Sequence, residues 1–599
     1  MALVGVWLGN GPAIHPRLST AQPNDNRRPA GRLHHDTLRV SLVVGMASWS
    51  PDGEGGEAVT VAAFSEQGKA PQIPAPLLRV PAGTVVDATV HNDLTDSTIT
   101  VRGLTTHPAA GRDSLVIAPR RTARVQFAVG QPGTYLYYAD VGTQDTLVER
   151  EQLAGALVID SAGARTDDRI FVINIWGEPV DSVVYRNALA INGRSFPHGE
   201  LIEPLVGDTL RWRWVNASDR NHPMHLHGFY FRVDAKGDGR VDSTFAPEAR
   251  RMAVTENLPP FGTMAMAWSP DRPGNWLFHC HIMFHVLGDA RLGPPPMEPH
   301  GSHVGRHMAG LVLGISVRPE AGRNDPPRGT PRTLRLFAQE GRSRGRAPRA
   351  MAYVPQRDRS PPAADSVEAP GGVLVLSRGE PTDITVINRL PEPTAVHWHG
   401  LELESWSDGV AAWSGAGTRV APEIQPGDSF TARLTLRRAG TFIYHTHLND
   451  FEQLTSGLYG AIVVLEPGRR FDPATDHVYV AGWDGPSDPA HIVINGDSVA
   501  PPLDLAAGVT HRFRFVNIGM AVRLRFSLAA DSGLAVWQPI AKDGFDLPRQ
   551  QAQPAPAVMM LAVGEPADAA FLPTTPGVYR LTVGRPERPA FWSQVVTVP

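Results

Sequence analysis

Four short segments of this chain carry residue types that do chemistry together: "HPMHLHG" at 222–228, "HCHIMFH" at 279–285, "HWHG" at 397–400 and "YHTH" at 444–447. In an extended strand, residues i and i+2 face the same side, so a His-x-His pair directs two imidazoles at one point. Four such pairs occur, His225 with His227, His279 with His281, His397 with His399, and His445 with His447. One pair alone would be explained as well by exposed histidines on a strand. Four pairs, with the chain's single cysteine inside one of them, point to metal. Imidazole donors with a thiolate suit copper or zinc. Structural zinc sites are closed four-coordinate sets at Cys-x-x-Cys or His-x3-5-His spacing, and one cysteine among eleven ligands does not divide that way. Copper fits better. Two histidines and a cysteine in a trigonal set describe an electron-transfer copper site, which His222, Cys280 and His285 supply, and the remaining eight histidines form a second centre.

These ligands need strands to hold them, and the sequence is rich in strand patterns. The 599 residues include 58 Gly and 55 Pro, and 42% are hydrophobic, which describes short elements joined by many turns. Alternation is plain in "DTLRVSLVV", "TVVDATV", "DTLRWRWVNAS", "TARLTL" and "HRFRFVNIG", each bounded by Gly, Pro, Asn or Asp. An all-β chain of sandwiches or barrels is expected. Self-comparison adds a duplication. "PGTYLYYADVG" from Pro132 resembles "AGTFIYHTHLN" from Ala439, "AINGRS" resembles "VINGDS", "RWRWVNAS" matches "RFRFVNIG", and "PGNWLFHCH" lies over "PGVYRLTVG", all at a shift of about 300 residues. Each half reads as two β-domains, which gives four: 1–162, 163–325, 326–468 and 469–599.

Overlaying the halves shows where ligands are missing. Thr100 and Arg102 stand opposite His397 and His399, and Tyr138 and Asp140 opposite His445 and His447. Arg523 and Arg525 stand opposite His225 and His227, and Thr582, Val583 and Gly584 opposite His279, Cys280 and His281. The outer domains therefore keep the scaffold without ligands. Each inner domain brings four of the eight histidines, so the second centre must lie between them. One chain is favoured over two because fusion raises the effective concentration of the pairing.

A net charge of −4 with both signs scattered gives no reason to expect a nucleic-acid partner. No apolar run approaches the roughly 20 residues a membrane span requires. The opening "MALVGVWLGNGPA" lacks a basic n-region and makes a poor signal peptide or the trace of a trimmed one.

The four motifs resemble those of the multicopper oxidases, the family of laccases and metal oxidases built from Greek-key cupredoxin domains. The resemblance implies four coppers: a type 1 copper on His222, Cys280 and His285, a type 2 copper on His225 and His397, and a type 3 pair on His227, His279, His281, His399, His445 and His447. It implies a laccase-like activity, with phenols or aromatic amines giving single electrons at the type 1 site and dioxygen reduced to water at the other. Oxidation of cuprous, ferrous or manganous ions and copper carriage without turnover are the alternatives. It also implies export to the periplasm or outside the cell; an oligomer is compatible with it. The residues given direct chemical roles are Cys280, His285 and Asp408. Asp408, in "SWSDGV", matches a family position that supplies a carboxylate near the type 2 copper, where protons are consumed. Two departures stand out. The common family order, "HWHG" first and the cysteine motif last, is reversed. After His285 about 20 residues intervene before "HMAGL", making Gly310-Leu311 the displaced family pair, Leu311 a non-coordinating axial residue and Met308 the alternative axial ligand. His300, His303 and His307 read as part of a solvated loop more readily than as a further metal site.

Overall fold

The computed structural model describes residues 18–108, 113–142, 149–179, 185–293, 308–319, 329–342, 349–356, 360–486 and 491–599. His300, His303 and His307 lie outside them, as does the opening apolar stretch. Among the described residues, α-helix is confined to two single turns, Ser405–Asp408 and Asp450–Gln453, and strands carry the fold, which is all-β.

Eight sheets pair into four sandwiches, each around its own core. They run from Ser19 to Asp160, Arg169 to Val317, Arg332 to Leu465 and Asp476 to Val598. Period-two burial builds them. In Ser429–Thr435, Phe430, Ala432 and Leu434 point inward while Ser429, Arg433 and Thr435 face solvent. Ala154–Asp160 and Tyr459–Leu465 are buried almost throughout, because their second face packs on the next sandwich.

The duplication extends to hydrogen bonds. In the second sandwich one sheet runs Tyr185–Ile191, Arg169–Pro179, Leu210–Asn216, Thr263–Trp268, Phe231–Gly237, Asp242–Thr244. In the fourth it runs Ile492–Ile494, Asp476–Trp483, His511–Asn517, Glu565–Phe571, Val536–Lys542, Phe545–Asp546. A bulge interrupts the same pairing in both, between Val233 and Ala235 and between Pro539 and Ala541. A buried asparagine ends a strand in all four sandwiches. Asn92, Asn216, Asn388 and Asn517 each accept a backbone N–H from two residues ahead and donate to two carbonyls, so neither end of the amide is left unsatisfied. The first sandwich meets the second as the third meets the fourth: Arg213 donates to Thr134 Oγ1 at 2.8 Å, and Arg514 to Thr441 Oγ1 at 3.0 Å.

The second and third sandwiches are joined differently. The hairpin Gly415–Ala416 with Arg419–Val420 leaves the third sandwich and adds to the sheet of the second, where Gly415 pairs with Asn275. Ser405 Oγ donates to the Asn275 carbonyl at 2.6 Å, and Trp413 Nε1 to the Trp276 carbonyl at 2.9 Å. At Gly274, with φ of 127°, a Cβ would lie 2.3 Å from that of Ser405, so this close approach requires glycine. The strand so clasped, Gly274–Cys280, is the one that carries the cysteine.

Candidate metal centre

Strand His222–Leu226 lies antiparallel to Gly274–Cys280, with His225 opposite His279 and Met224 opposite Cys280. Cys280 faces the core of the second sandwich among Met224, Leu311 and Phe278. His279 on the strand and His281 just past its end face the third sandwich, against His447 and His399. A short 3-10 turn, Met283–His285, brings the last histidine of the motif back to the thiol.

His222 Nδ1 and His285 Nδ1 lie 3.7 and 3.4 Å from Cys280 Sγ and 3.1 Å from one another. Three donors arranged trigonally about an ion at ordinary bond lengths of about 2.1 Å stand roughly 3.5 Å apart, so the set fits one metal. The far nitrogen of His222 is occupied by Ser218 Oγ at 2.9 Å. Burial pushes the Cys280 thiol up and holds His285 down to about 3, so all three are neutral donors until a cation arrives, which would take the thiol as thiolate.

The eight remaining histidines converge within one chain. Their ligand atoms fall into overlapping groups: His225 with His397 and His399, His227 with His279 and His447, His281 with His399 and His445, and His227 with His397 and Asp408. Every group draws on both sandwiches. His225 Nε2 is 3.4 Å from His397 Nε2, His227 Nε2 is 2.9 Å from His279 Nε2, and His281 Nε2 is 3.2 Å from His399 Nδ1. The outward nitrogens are committed elsewhere. His225 Nδ1 donates to the Val254 carbonyl (3.0 Å), His279 Nδ1 to that of Cys280 (2.8 Å), His397 Nδ1 to that of Asp408 (3.0 Å) and His445 Nδ1 to that of Thr446 (2.6 Å). A proton on Nδ1 leaves a lone pair on Nε2, aimed inward. His445 Nε2 is buried there with no hydrogen-bond partner, an orphan that a metal would satisfy. Desolvation, then the neighbouring imidazoles, holds His279 and His281 at about 3 and His225, His227, His399 and His445 well below the ordinary value, so these rings too are neutral.

Asp408 sits at the end of the turn Ser405–Asp408, fully buried. Its Oδ2 accepts from His227 Nδ1 and from Ser414 Oγ, each at 2.9 Å. Oδ1 has no hydrogen-bond partner and lies 3.4 Å from His397 Nδ1. The carboxylate therefore backs two rings from outside the cluster, one from each expected copper type.

Leu311 is seated between the type 1 candidates: its carbonyl accepts from Cys280 N and its N–H donates to His285 O, both at 3.0 Å. Gly310 makes this possible at φ of 66°, where a Cβ would come within 2.4 Å of the His285 carbonyl. Met308 is bridged through its backbone to Leu287 and is buried in the same core as Cys280. Sequence spacing missed Thr255, which faces His225 across the sheet and whose Oγ1 is 3.1 Å from both His225 Nδ1 and His399 Nε2. Only the strand register could have indicated it.

Two family models, both described as multicopper oxidase, match the chain. One matches twice, at 59–163 and 366–469, on the first and third sandwiches, and the other at 174–289 on the second. Together they span more than half of the 599 residues, and the chain belongs to the multicopper oxidase family, whose members bind copper. Similar curated proteins include multicopper oxidase MCE of Talaromyces pinophilus, 42% identical over 95 residues (16% of this chain, 14% of that one). Laccase-1 of Emericella nidulans is 33% identical over 181 residues (30% and 26%), and copper resistance protein A of Escherichia coli 38% identical over 95 residues (16% and 14%). The chain thus spans at most about a quarter of the length of these relatives.

Proposed function

We propose that this chain is a laccase-like oxidase that takes single electrons from phenols or aromatic amines at Cys280 and His285 and passes them to dioxygen, forming water, at the eight-histidine centre. Bound copper would supply the one-electron redox chemistry at the first set and dioxygen reduction at the second. His222, Cys280 and His285 would hold type 1 copper, and His225 and His397 type 2. The type 3 pair would divide as His227, His279, His447 and His281, His399, His445, a division supported by the closeness of the ligand atoms within each set. Each sandwich is read as one domain. Export and freedom from nucleic-acid partners belong to the same reading; among the described residues no helix is long and apolar enough to cross a membrane.

The observation that carries the reading is the convergence of imidazoles from two sandwiches beside a buried donor set of one thiol and two imidazoles. Strand geometry links the two centres: Cys280 is bonded through the backbone to His279 and His281, and His279 Nδ1 donates to the Cys280 carbonyl. Asp408 is the group proposed to handle protons, with Oδ2 committed to His227 and Ser414 and Oδ1 left for exchange. Phe284, adjoining His285, is 45% exposed and faces Phe451 and Trp483 at ring distances of 6.4 and 6.5 Å, an aromatic surface suited to an aromatic donor. Met283 and Met308 are buried, which disfavours a thioether surface for cuprous ions beside His285; Met297 lies outside the described residues. Leu311 is the proposed axial residue, favouring a high type 1 potential.

Copper stoichiometry on the purified holoprotein, with oxygen uptake against phenols and against cuprous, ferrous and manganous ions, tests this. About four coppers per chain and phenol-dependent uptake, lost in Cys280→Ser, are expected. One copper without uptake would move the chain to the carrier reading, and uptake with metal ions alone to the metal-oxidase reading.

A further inference from the structure

Among its described residues the fourth sandwich adds no histidine to the eight-histidine centre, yet it forms a wall of it. Strand Val536–Lys542 ends in a tight turn whose first residue, Asp543, is fully buried with φ of 52°. Its carboxylate leaves the fourth sandwich. Oδ2 accepts from the backbone N–H groups of Val254 (2.9 Å) and Thr255 (3.2 Å) in the second, and from Lys542 Nζ (2.9 Å). Lys542 in turn donates to the Thr255 carbonyl and lies 3.4 Å from Glu565. Tyr230 of the second sandwich donates to the Asp543 carbonyl.

The segment so held touches the ligands on its other side. The Val254 carbonyl accepts from His225 Nδ1, and Thr255 Oγ1 lies between His225 Nδ1 and His399 Nε2. One dipeptide thus connects a histidine of the second sandwich, a histidine of the third and an ion pair of the fourth. A second contact agrees. Gly564 of the fourth sandwich, at φ of 78°, packs so closely on His281 that a Cβ would lie 2.6 Å from the ring.

The duplicated copy of this turn does something else. In "AKGDG" of the second sandwich, which overlays "AKDGF" of the fourth, Lys236 bonds to Glu256 and the Asn257 carbonyl and Asp238 caps its own turn, while the Gly239 carbonyl accepts from Leu136 N of the first sandwich; no carboxylate of this turn leaves the second sandwich in these bonds. Burying an ammonium and a carboxylate carries a desolvation cost that their attraction only partly returns, and apolar residues would serve a purely structural contact as well. A fixed hydrogen-bond geometry is what the pair adds.

We propose that Lys542 and Asp543 are positioning residues of the eight-histidine centre, fixing Val254–Thr255 and through it the ring orientations of His225 and His399. The inference rests on reading that centre as a copper site. Its test uses the full-length holoprotein with Asp543→Ala, Asp543→Asn and Thr255→Val, measuring copper per chain, the type 2 electron paramagnetic resonance signal and the visible Cys280–copper absorption of the same samples. Wild type is expected to hold about four coppers, and the alanine and valine variants to fall towards one, losing the type 2 signal while the Cys280 absorption persists. Asp543→Asn, which keeps one acceptor oxygen, should retain more type 2 copper than Asp543→Ala. Unchanged copper and type 2 signal in both Asp543→Ala and Thr255→Val would overturn the inference alone. So would equal loss of the Cys280 absorption and the type 2 signal in both, since that reports general loss of fold. A wild type without type 2 copper would overturn the reading of the centre and the inference with it.

Discussion

An imidazole presents to a metal the nitrogen that its other neighbours leave bare. Here a carbonyl, a hydroxyl or a carboxylate claims the outward nitrogen of His222, His225, His227, His279, His397, His399 and His445, and the inward one is free by default. Gly310 shows the same economy at the first set, since its left-handed backbone lets Leu311 bond to both Cys280 and His285. Gly310→Ala should therefore cost about 1–3 kcal/mol and shift the Cys280–copper absorption, because the added Cβ displaces the His285 carbonyl. Thermal denaturation and the visible spectrum check it; an unchanged spectrum would mean that Gly310 does not set the His285 position. At this scale the convergence of the histidines was legible, because His-x-His on a strand sends two rings to one side. The groups that aim them were not, because Thr255 and Asp543, though bonded in the fold, are 288 residues apart in the chain.

At the scale of elements, the period of two in Gly274–Cys280 separates the centres: alternate residues must face opposite sides, so the thiol and its flanking rings cannot share a site. The strands and the duplication could be read from alternation and self-similarity. The hairpin at 415–420 could not, since "SGAGTR" reads as loop and becomes strand only by pairing with the second sandwich. The fourth sandwich offers a test free of metal ligands. His477 and His511, on neighbouring parallel strands, bury their rings with Nε2 and Nδ1 3.2 Å apart. Desolvation, then the facing His511, lowers His477 to about 4. The unfolded chain takes up that proton near pH 6.5 and the folded one refuses it, so the contribution is whole above about pH 6.5 and is lost as pH falls towards 4. His477→Gln should flatten the acid limb of the melting temperature, removing up to about 3 kcal/mol of pH dependence in that window. Parallel limbs for wild type and variant would contradict it.

At the scale of the molecule, the division of ligands decides the architecture. Four histidines come from each inner sandwich, so neither is complete alone, and the chain supplies the partner covalently. Among the described residues the outer sandwiches add no histidine to the centre; the fourth closes the site through Lys542, Asp543 and Gly564, and the first packs on the second as the third packs on the fourth. The measurement that reaches the central claim most directly is anomalous diffraction at the copper edge from crystals of the holoprotein. Three peaks grouped among His225, His227, His279, His281, His397, His399, His445 and His447 of a single chain, with a fourth beside Cys280, are predicted. A peak at Cys280 with none between the second and third sandwiches, or ligands drawn from two different chains, would contradict it.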